Sequence, residues 1–267
     1  MSSFTDKVVI VTGASEGIGR ALCLLLAERK SKIVIAARNE ERLNELKKEI
    51  EVAGGRALSV PTDVTDKNAC KNLIEKAVAE FGQIDSLVNN AGRTMWTLLE
   101  DIEDISIFEQ LIRLNYLGCV YCTFYAIPYL KKTKGLIVGI SSLAGLTGVP
   151  ARTAYSASKH ALFGFFDSLR IELKDTGVAV TMVAPDFVLS EMHKRALTGS
   201  GNSLGESPLQ ESKIMTAEKC ASLILRAMEK RDRILITSLR GKLGRWMKLL
   251  SPSVVDKMAA KAIREKR

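Results

Sequence analysis

Residues 12–22 read TGASEGIGRAL and decide the fold of this chain. They overlap VVIVT, residues 8–12, a short run of mostly β-branched residues that is typical of a buried strand. Glycines where a strand passes into a helix let the backbone turn tightly and approach a pyrophosphate, whose charge the helix N-terminus then meets. The stretch therefore predicts a dinucleotide site. Its predicted contacts are Gly13, Ser15, Glu16, Gly17, Ile18 and Gly19.

Short apolar runs rich in Val and Ile alternate with helical patterns along the rest of the chain. Near-continuous apolar strands separated by amphipathic helices imply a parallel sheet that is covered on both faces. We therefore predict an α/β fold, a doubly wound parallel sheet (Rossmann fold) of about seven strands, in which ligands bind beyond the carboxyl ends of the strands. Residues 1–240 would form one domain, and residues 241–267 a helical extension. The predicted strands are residues 8–12, 32–36, 57–60, 85–89, 136–140, 178–183 and 233–237.

The end of the second predicted strand indicates which dinucleotide is bound. An NAD(H) site usually has an acidic residue there, which accepts a hydrogen bond from the ribose 2′-hydroxyl. This chain has Ala37 at that position and Arg38 after it, and a guanidinium can bind a 2′-phosphate through paired charge-assisted hydrogen bonds. We therefore predict NADP(H) rather than NAD(H). Two points weigh against this: the alternative is that Arg38 is only a surface residue at the start of the helix, and Glu16 brings a carboxylate to the same region.

Polar and small residues follow the third and fourth predicted strands. Asp63 and Val64 come after the third, where a carboxylate can meet an adenine amino group. Asn90, Ala91 and Gly92 come after the fourth, where small side chains let a cofactor pass close over the sheet edge. All five are predicted cofactor contacts.

The segment YSASK, residues 155–159, places a phenol and an ammonium one helical turn apart. Tyr155 and Lys159 would rise from the same face of a helix, and in a cleft the fixed positive charge favours the phenolate. On an exposed surface the pair would be a coincidence of two common residues. Its place argues against coincidence, because the helix follows the fifth strand and Ser142 leaves that strand 13 positions before Tyr155.

Together these motifs resemble the short-chain dehydrogenase/reductases, in the form that has a TGxxxGxG loop. The resemblance covers residues from about 5 to about 240 and rests on TGASEGIG, DVTD, NNAG, LNYLG, Ser142, YSASK and PDFV in register. It implies that Tyr155 is the general acid and base and also contacts the cofactor, that Lys159 favours ionisation of Tyr155 and hydrogen-bonds the nicotinamide ribose, and that Ser142 holds the substrate oxygen. Asn115, in LNYLG, would anchor a water that links Lys159 to solvent. The resemblance also implies a homodimer or homotetramer.

One motif departs from the family pattern. The family usually has Pro-Gly after the sixth strand, whereas this chain has Pro185 followed by Asp186. The conformational freedom of glycine is lost there, although Asp tolerates unusual backbone angles better than most residues. Pro185, Val188 and Ser190 are still predicted to contact the carboxamide end of the cofactor.

A long polar segment, residues 189–216, follows the sixth strand and predicts a mobile lid over the substrate. Apolar residues nearby favour a lipophilic ketone or secondary alcohol, such as a 3-oxoacyl, sphingoid or steroid-like compound, over a sugar. His160 and His193 have no partner pattern and are predicted to take no part. The predicted apolar wall consists of Trp96, Leu143, Leu146, Phe187 and Met192.

The charge distribution argues against a nucleic-acid partner. The chain of 267 residues has a net charge of +9, but residues 226–267 hold 13 of its 39 Lys and Arg and only 4 of its 30 Asp and Glu. The rest of the chain is neutral, whereas a nucleic-acid enzyme would spread positive charge around its cleft. The excess charge belongs to the C-terminal extension.

That extension has the pattern of an amphipathic helix, with Lys242, Arg245 and Lys248 toward the side opposite its apolar residues. Such a helix suits the surface of an anionic membrane. Packing of the apolar face on the same domain, or on a partner subunit, is the alternative. The apolar residues are Leu239, Leu243, Trp246, Met247 and Leu250.

The remaining features favour an intracellular protein. No apolar run reaches the roughly 18 residues of a membrane span, and the N-terminus lacks a signal-peptide pattern. We therefore predict a cytoplasmic protein, peripheral to a membrane at most. Five scattered cysteines favour reduced thiols. Cys119 and Cys122 form a C-x-x-C without further ligands, which predicts helix packing rather than a metal site.

Two alternatives to an enzyme stay open. A non-catalytic dinucleotide-binding regulatory protein could keep the same fold, but it would not need the proton-handling set of Asn115, Ser142, Tyr155 and Lys159. A structural protein that binds no nucleotide would not need the glycine-rich loop. The natural substrate and the direction of the reaction are not indicated by the sequence.

Overall fold

A computed structural model describes residues 4–209 and 214–264 of the chain. Within them, seven strands form one parallel sheet in the order β3-β2-β1-β4-β5-β6-β7. The predicted doubly wound α/β fold is confirmed, and each predicted strand boundary is correct to within one residue. The strands are β1 Val8–Thr12, β2 Lys32–Ala37, β3 Arg56–Pro61, β4 Ser86–Asn89, β5 Leu136–Ile140, β6 Ala179–Ala184 and β7 Ile234–Ile236.

Helices cover both faces of the sheet. They are α1 Gly17–Glu28, α2 Glu40–Val52, α3 Lys67–Phe81, α4 Ser106–Ile112, α5 Gly118–Thr133, α6 Thr153–Glu172, α7 Ala217–Lys230, α8 Leu239–Leu250 and α9 Pro252–Arg264. The chain winds outward from β1 to β3 and then crosses back to place β4 beside β1. This reversal of direction opens a crevice at the carboxyl ends of β1 and β4, where sheets of this type bind their ligands.

Two apolar layers hold the helices on the sheet. Val9 and Val11 of β1 belong to the layer formed with α1, α2 and α7, whereas Val8 and Ile10 belong to the layer formed with α3, α5 and α6. All four side chains are fully buried, and burial of a side chain of this size contributes about 1.5–3 kcal/mol. The near-continuous apolar strands of the sequence therefore follow from coverage on both faces.

The C-x-x-C lies in α5, where both thiols are buried and free. Cys119 Sγ donates to the backbone oxygen of Asn115 at 3.2 Å. Burial raises the pKa of the Cys119 thiol to about 11, so this sulfur stays protonated near neutral pH. Within residues 4–209 and 214–264, no group of three or more His, Cys, Asp or Glu side chains could hold a metal ion.

The C-terminal extension packs against the end of the sheet. It begins with α8 at Leu239, so the predicted domain boundary after residue 240 falls inside this helix. Gly241 allows the close approach, because an added Cβ would lie 2.5 Å from Leu143 Cδ2 and 2.9 Å from Ile236 Cγ2. On the inner side, Lys248 Nζ donates to the backbone oxygen of Leu146 at 2.8 Å.

The apolar face of α8 points to solvent. Leu239 is 72% exposed, Trp246 67% and Leu250 87%, and Leu243 is exposed as well. Packing of this face on its own domain, one of the two alternatives above, is therefore wrong for these four side chains, whereas Met247, the fifth residue of the predicted face, is partly buried. None of the helices among the described residues is long and apolar enough to cross a membrane.

Candidate active site

A cavity of about 1340 Å³ opens at the carboxyl ends of the strands. It is large enough for a dinucleotide together with a substrate. The loops after β1 to β6 form most of its wall, and α8 and α9 close one end. Of the predicted site residues, only Gly19 and Asn115 lie behind the wall. Those that line it are Gly13, Ser15, Glu16, Gly17, Ile18, Arg38, Asp63, Val64, Asn90, Ala91, Gly92, Ser142, Tyr155, Lys159, Pro185, Val188 and Ser190.

The glycine-rich loop is shaped for a close approach of a ligand. Gly13 has φ +63°, and an added Cβ would lie 2.8 Å from Ala91 Cα. A Cβ on Gly19 would collide with the carbonyl oxygen of Gly13, so Gly19 serves the packing of α1 against the loop. Asn90 holds the loop from the other side, since its Nδ2 donates to the carbonyl oxygens of Thr12 and Gly13, both at 3.0 Å. A cradle that any side chain would fill fits a dinucleotide pyrophosphate.

Positive charge surrounds the loop at the start of α2. Arg38 is exposed on the cavity wall, and Arg42 lies one helical turn further on. Arg42 Nη1 lies 3.0 Å from Glu16 Oε2, and Arg195 makes a second ion pair with the same carboxylate. The sequence analysis missed Arg42, which lies in the first turn of α2.

Tyr155 and Lys159 lie one turn apart on α6, and both are buried. Lys159 Nζ is 5.8 Å from the centre of the Tyr155 ring and donates to the backbone oxygen of Ile140 at 2.9 Å. Ser142 leaves β5 beside them, and its Oγ accepts a hydrogen bond from the Ala144 amide at 3.2 Å. That contact uses an acceptor site of the hydroxyl and leaves its proton for another partner. The three predicted groups therefore line the same cavity.

Asn115 supports this cluster from behind. It is fully buried in a π-helical turn, Arg113–Leu117, between α4 and α5. Its Oδ1 accepts from the Arg93 amide at 2.8 Å, and its Nδ2 donates to the Arg93 carbonyl and to Ser158 Oγ, both at 2.9 Å. An added Cβ on Gly92 would lie 3.0 Å from Asn115 Oδ1 and 3.4 Å from Lys159 Nζ. Glycine thus keeps open the space between the amide and the ammonium.

Asp186 joins the end of β6 to the start of α8. It accepts from Ser238 Oγ at 2.7 Å, from Arg240 Nε at 3.1 Å and from the Phe187 amide at 2.9 Å. Burial opposes its ionisation, but the hydrogen bonds from Arg240 and Ser238 hold its pKa below the ordinary value. Its backbone is not among the left-handed residues. The departure from glycine therefore adds an anchor for the extension rather than a strained turn.

The segment after β6 covers the cavity. Leu197 pairs with the loop after β4, donating to the Thr94 carbonyl at 2.9 Å and accepting from the Trp96 amide at 2.9 Å. His193 of this segment is buried in the cavity wall, with Nε2 3.2 Å from the Val188 oxygen, a position that its sequence context did not indicate. Residues 210–213 of the predicted lid lie outside the described part of the chain. Its mobility stays a prediction.

The predicted apolar wall forms with one exception. Leu143, Leu146, Phe187 and Met192 line the cavity, but Trp96 does not. The Trp96 ring is covered by the guanidinium of Arg152, whose carbon lies 4.5 Å from the ring centre.

Arg152, which the sequence analysis did not single out, is itself in the cavity wall. It is only 5% exposed. Burial lowers its pKa to about 10, so it remains charged near neutral pH.

The structure thus places the glycine-rich loop, Tyr155, Lys159 and Ser142 in the wall of one cavity. Comparison with known proteins agrees, since the short chain dehydrogenase family matches residues 7–200. The chain belongs to the short-chain dehydrogenase/reductase family and acts on alcohols or ketones.

Its relatives and structural neighbours span several activities. Dehydrogenase/reductase SDR family protein 7-like of Dictyostelium discoideum is 36% identical over 261 residues, 96% of this chain and 81% of the relative. 11-beta-hydroxysteroid dehydrogenase A of Sesamum indicum is 32% identical, covering 94% and 73%. A short chain dehydrogenase/reductase of Burkholderia phymatum, in complex with NAD, superposes with TM-score 0.83 at 23% identity over 95% of this chain and 96% of the other. An alcohol dehydrogenase of Thermococcus sibiricus, complexed with 5-hydroxy-NADP, gives 0.75 at 24% identity over 86% and 95%.

Proposed function

We propose that this protein is an NADP(H)-dependent oxidoreductase that transfers a hydride between the nicotinamide and a lipophilic ketone or secondary alcohol. The observation that carries the proposal is that Tyr155, Lys159 and Ser142 line the same cavity as the glycine-rich loop. A regulatory protein would need the second feature without the first.

The residues of the site handle the proton and the developing charge. When bound, the dinucleotide supplies or accepts the hydride. In the direction of reduction, Tyr155 donates its phenolic proton to the substrate oxygen, while the Ser142 hydroxyl donates a hydrogen bond to the same oxygen. Lys159, held by the Ile140 carbonyl, stabilises the negative charge left on the phenol oxygen. In the direction of oxidation, the proton passes from the substrate hydroxyl back to the Tyr155 oxygen.

Replacement of Tyr155 by Phe tests this mechanism. The phenol hydroxyl supplies the proton and only one of many cofactor contacts, so Tyr155→Phe should bind NADPH with nearly unchanged affinity and lose about 10²- to 10⁴-fold in kcat. Fluorescence titration and a steady-state assay measure the two quantities on one preparation. Wild-type turnover by the variant would remove Tyr155 from the reaction. Dinucleotide binding without turnover of any ketone or secondary alcohol would favour the regulatory alternative.

The charges around the adenosine end support NADP(H) as the cofactor. Arg38 and Arg42 both lie on the cavity wall there. Glu16, the residue that weighed against this preference, is paired with Arg42 and Arg195, so its charge is offset. The local excess of positive charge suits a 2′-phosphate.

Titration of the wild-type protein with NADPH and NADH, followed by the same titrations of Arg38→Gln, tests the preference. Hydrogen bonds to charged groups contribute about 1.5–3 kcal/mol, so the variant should bind NADPH about 10- to 100-fold more weakly and NADH unchanged. Arg226→Gln, on the exposed side of α7, is the matched control for loss of one charge. Tighter binding of NADH by the wild type would contradict the proposal.

The substrate proposal rests on the cavity wall. Leu143, Leu146, Phe187 and Met192 contribute apolar surface to the cavity wall, against which a steroid-like, sphingoid or 3-oxoacyl compound would fit. Several relatives of this chain bear the name 11-beta-hydroxysteroid dehydrogenase, which is consistent with a lipophilic substrate. Preference for hydroxylated sugars over apolar ketones of similar size would contradict it.

The exposed face of α8 is proposed to contact an anionic membrane surface. Leu239, Leu243, Trp246 and Leu250 point outward, with Lys242 exposed among them. The surplus of basic residues in this part of the chain would repel a second copy and attract anionic lipid. The cytoplasmic location and the homodimer or homotetramer stay predictions.

Sedimentation with phosphatidylserine-containing vesicles and with phosphatidylcholine vesicles tests this contact. The wild type should pellet with the anionic vesicles, and Leu243→Ser should weaken this. Leu99→Ser is the matched control, because Leu99 is exposed to a similar degree elsewhere on the surface. Unchanged solubility with anionic vesicles would rule out the membrane contact. A fall in mass of Leu243→Ser in analytical ultracentrifugation would instead assign the face to an oligomer.

A further inference from the structure

A buried positive charge lies in the cavity wall next to the reacting groups. The guanidinium carbon of Arg152 is 4.5 Å from the centre of the Trp96 ring, 5.2 Å from that of Phe187 and 5.9 Å from that of Tyr155. The side chain is thus held among three aromatic faces, which attract a cation but offer it no hydrogen-bond acceptor.

The hydrogen-bonding capacity of this guanidinium is not met. Within residues 4–209 and 214–264, its buried Nε and Nη2 have no hydrogen-bond partner, and no carboxylate lies within 4.0 Å of it. Burial of a charged group without such partners is costly. A side chain that bears this cost beside a substrate cavity is completed when a ligand supplies the acceptor.

The backbone around Arg152 also favours an anion. Arg152 immediately precedes α6, a helix of 20 residues, and a cation at a helix N-terminus opposes the helix dipole. Ala151 has φ +60°, a left-handed conformation that is uncommon for Ala. A strained residue therefore delivers a cation to a place where local electrostatics disfavour it, which is a feature of binding sites.

The acidic side chains of the cavity are engaged elsewhere. Asp186 accepts from Ser238 and Arg240, and Glu191 pairs with Lys194. Glu16 is taken by Arg42 and Arg195, and Asp63 Oδ1 accepts from the Thr65 amide at 2.9 Å. Arg152 therefore has no protein carboxylate as a competitor for an incoming anion among the residues that line the cavity.

We propose that Arg152 is a specificity-determining residue that binds a carboxylate of the substrate, so that the preferred substrate is a lipophilic oxo acid or hydroxy acid. A carboxylate presents two oxygens in one plane, and a guanidinium binds it by paired hydrogen bonds. Nε and Nη2 lie out of contact with solvent. Binding of the carboxylate to them therefore requires a small rotation of the guanidinium or of the Phe187 ring. This inference rests on the proposed function and narrows its substrate class.

Matched pairs of compounds test it. Aryl oxo acids with two to five methylenes between ketone and carboxylate, beginning with 4-oxo-4-phenylbutanoate, are compared with their methyl esters in NADPH oxidation. For the best chain length, kcat/KM of the wild type should be on the order of 100-fold higher for the acid than for the ester. Arg152→Met, which keeps length and apolar character, should lose this ratio because the rate with the acid falls much further than the rate with the ester. Arg226→Met is the control for charge.

Two further measurements separate the possible results. Arg152→Met should unfold at the same temperature as the wild type or higher, because an uncompensated buried charge is removed; a large fall would assign Arg152 to the fold. The thermal shift that the acid causes in the presence of NADPH, compared between wild type and Arg152→Met, tests the inference even if there is no turnover.

Equal rates for acid and ester, unchanged in Arg152→Met and Arg152→Lys, would overturn the inference while the proposed function stands. Absence of any turnover would contradict the proposed function, and acid binding lost in Arg152→Met would still support the inference.

Discussion

Removal of the Asp186 carboxylate should loosen the C-terminal extension. This side chain is 14% exposed and accepts four hydrogen bonds, one from Ser238, two from Arg240 and one from the Phe187 amide. A hydrogen bond to a charged group contributes about 1.5–3 kcal/mol, but the Arg240 guanidinium is half exposed, which reduces its part to about 1 kcal/mol or less. We therefore expect Asp186→Ala to lower the free energy that holds α8 on the domain by about 2 kcal/mol.

Native-state hydrogen exchange is the suitable measurement, since it resolves local opening. At about 1.4 kcal/mol for a factor of ten, exchange of the α8 amides should rise by about 30-fold, while β1 and β4 keep their protection. The substrate KM should rise as well, because α8 and α9 close one end of the cavity. Lys248, which anchors α8 to the Leu146 carbonyl, provides a second point of attachment that limits the effect.

Asp186→Gly is the informative control. It restores the residue that the family usually has at this turn, yet Asp186 is not in a left-handed conformation. Glycine should therefore be no better than alanine, and worse by about 0.5–1 kcal/mol because of its backbone entropy. Unchanged exchange of α8 in Asp186→Ala, or wild-type behaviour of Asp186→Gly, would refute the assigned function of the carboxylate as an anchor.

Three further outcomes are expected. Because the folded pKa of Asp186 is depressed, its contribution to stability is present above the unfolded value of about 4 and is lost as the pH falls through the lower folded value; the urea unfolding free energies of wild type and Asp186→Asn should therefore differ above about pH 4 and approach each other as the pH falls further, and parallel curves would contradict this. Gly19→Ala should abolish NADPH binding in a fluorescence titration, since the added Cβ would meet the Gly13 carbonyl; near-normal affinity would show that the loop can shift. Arg195→Ala, which breaks the ion pair with Glu16 across the cleft, should speed NADPH dissociation by a few-fold in stopped flow, and an unchanged rate would show that the pair does not restrain the cofactor.

The sequence predicted those parts of the protein that depend on local pattern. All seven strands were found because a strand buried on both faces needs a continuous apolar run, and each run has its own turn signals. The glycine-rich loop and the Tyr155 and Lys159 pair were found for the same reason. Each of these is built from residues within about one helical turn or one strand-to-helix connection of each other, so spacing along the chain carries the geometry.

Contacts between distant segments were decided by the tertiary structure. Glu16 meets Arg195, Asp186 meets Arg240, and Arg152 meets the Trp96 and Phe187 rings, although nothing in the spacing of these residues relates them. The amphipathic pattern of α8 showed that the helix has two faces but not which one turns inward. The inner side is chosen by partners in the rest of the fold, such as the Leu146 carbonyl for Lys248. Periodicity describes one element at a time, whereas charge pairing, ring stacking and the direction of a face depend on the elements that the fold places beside it.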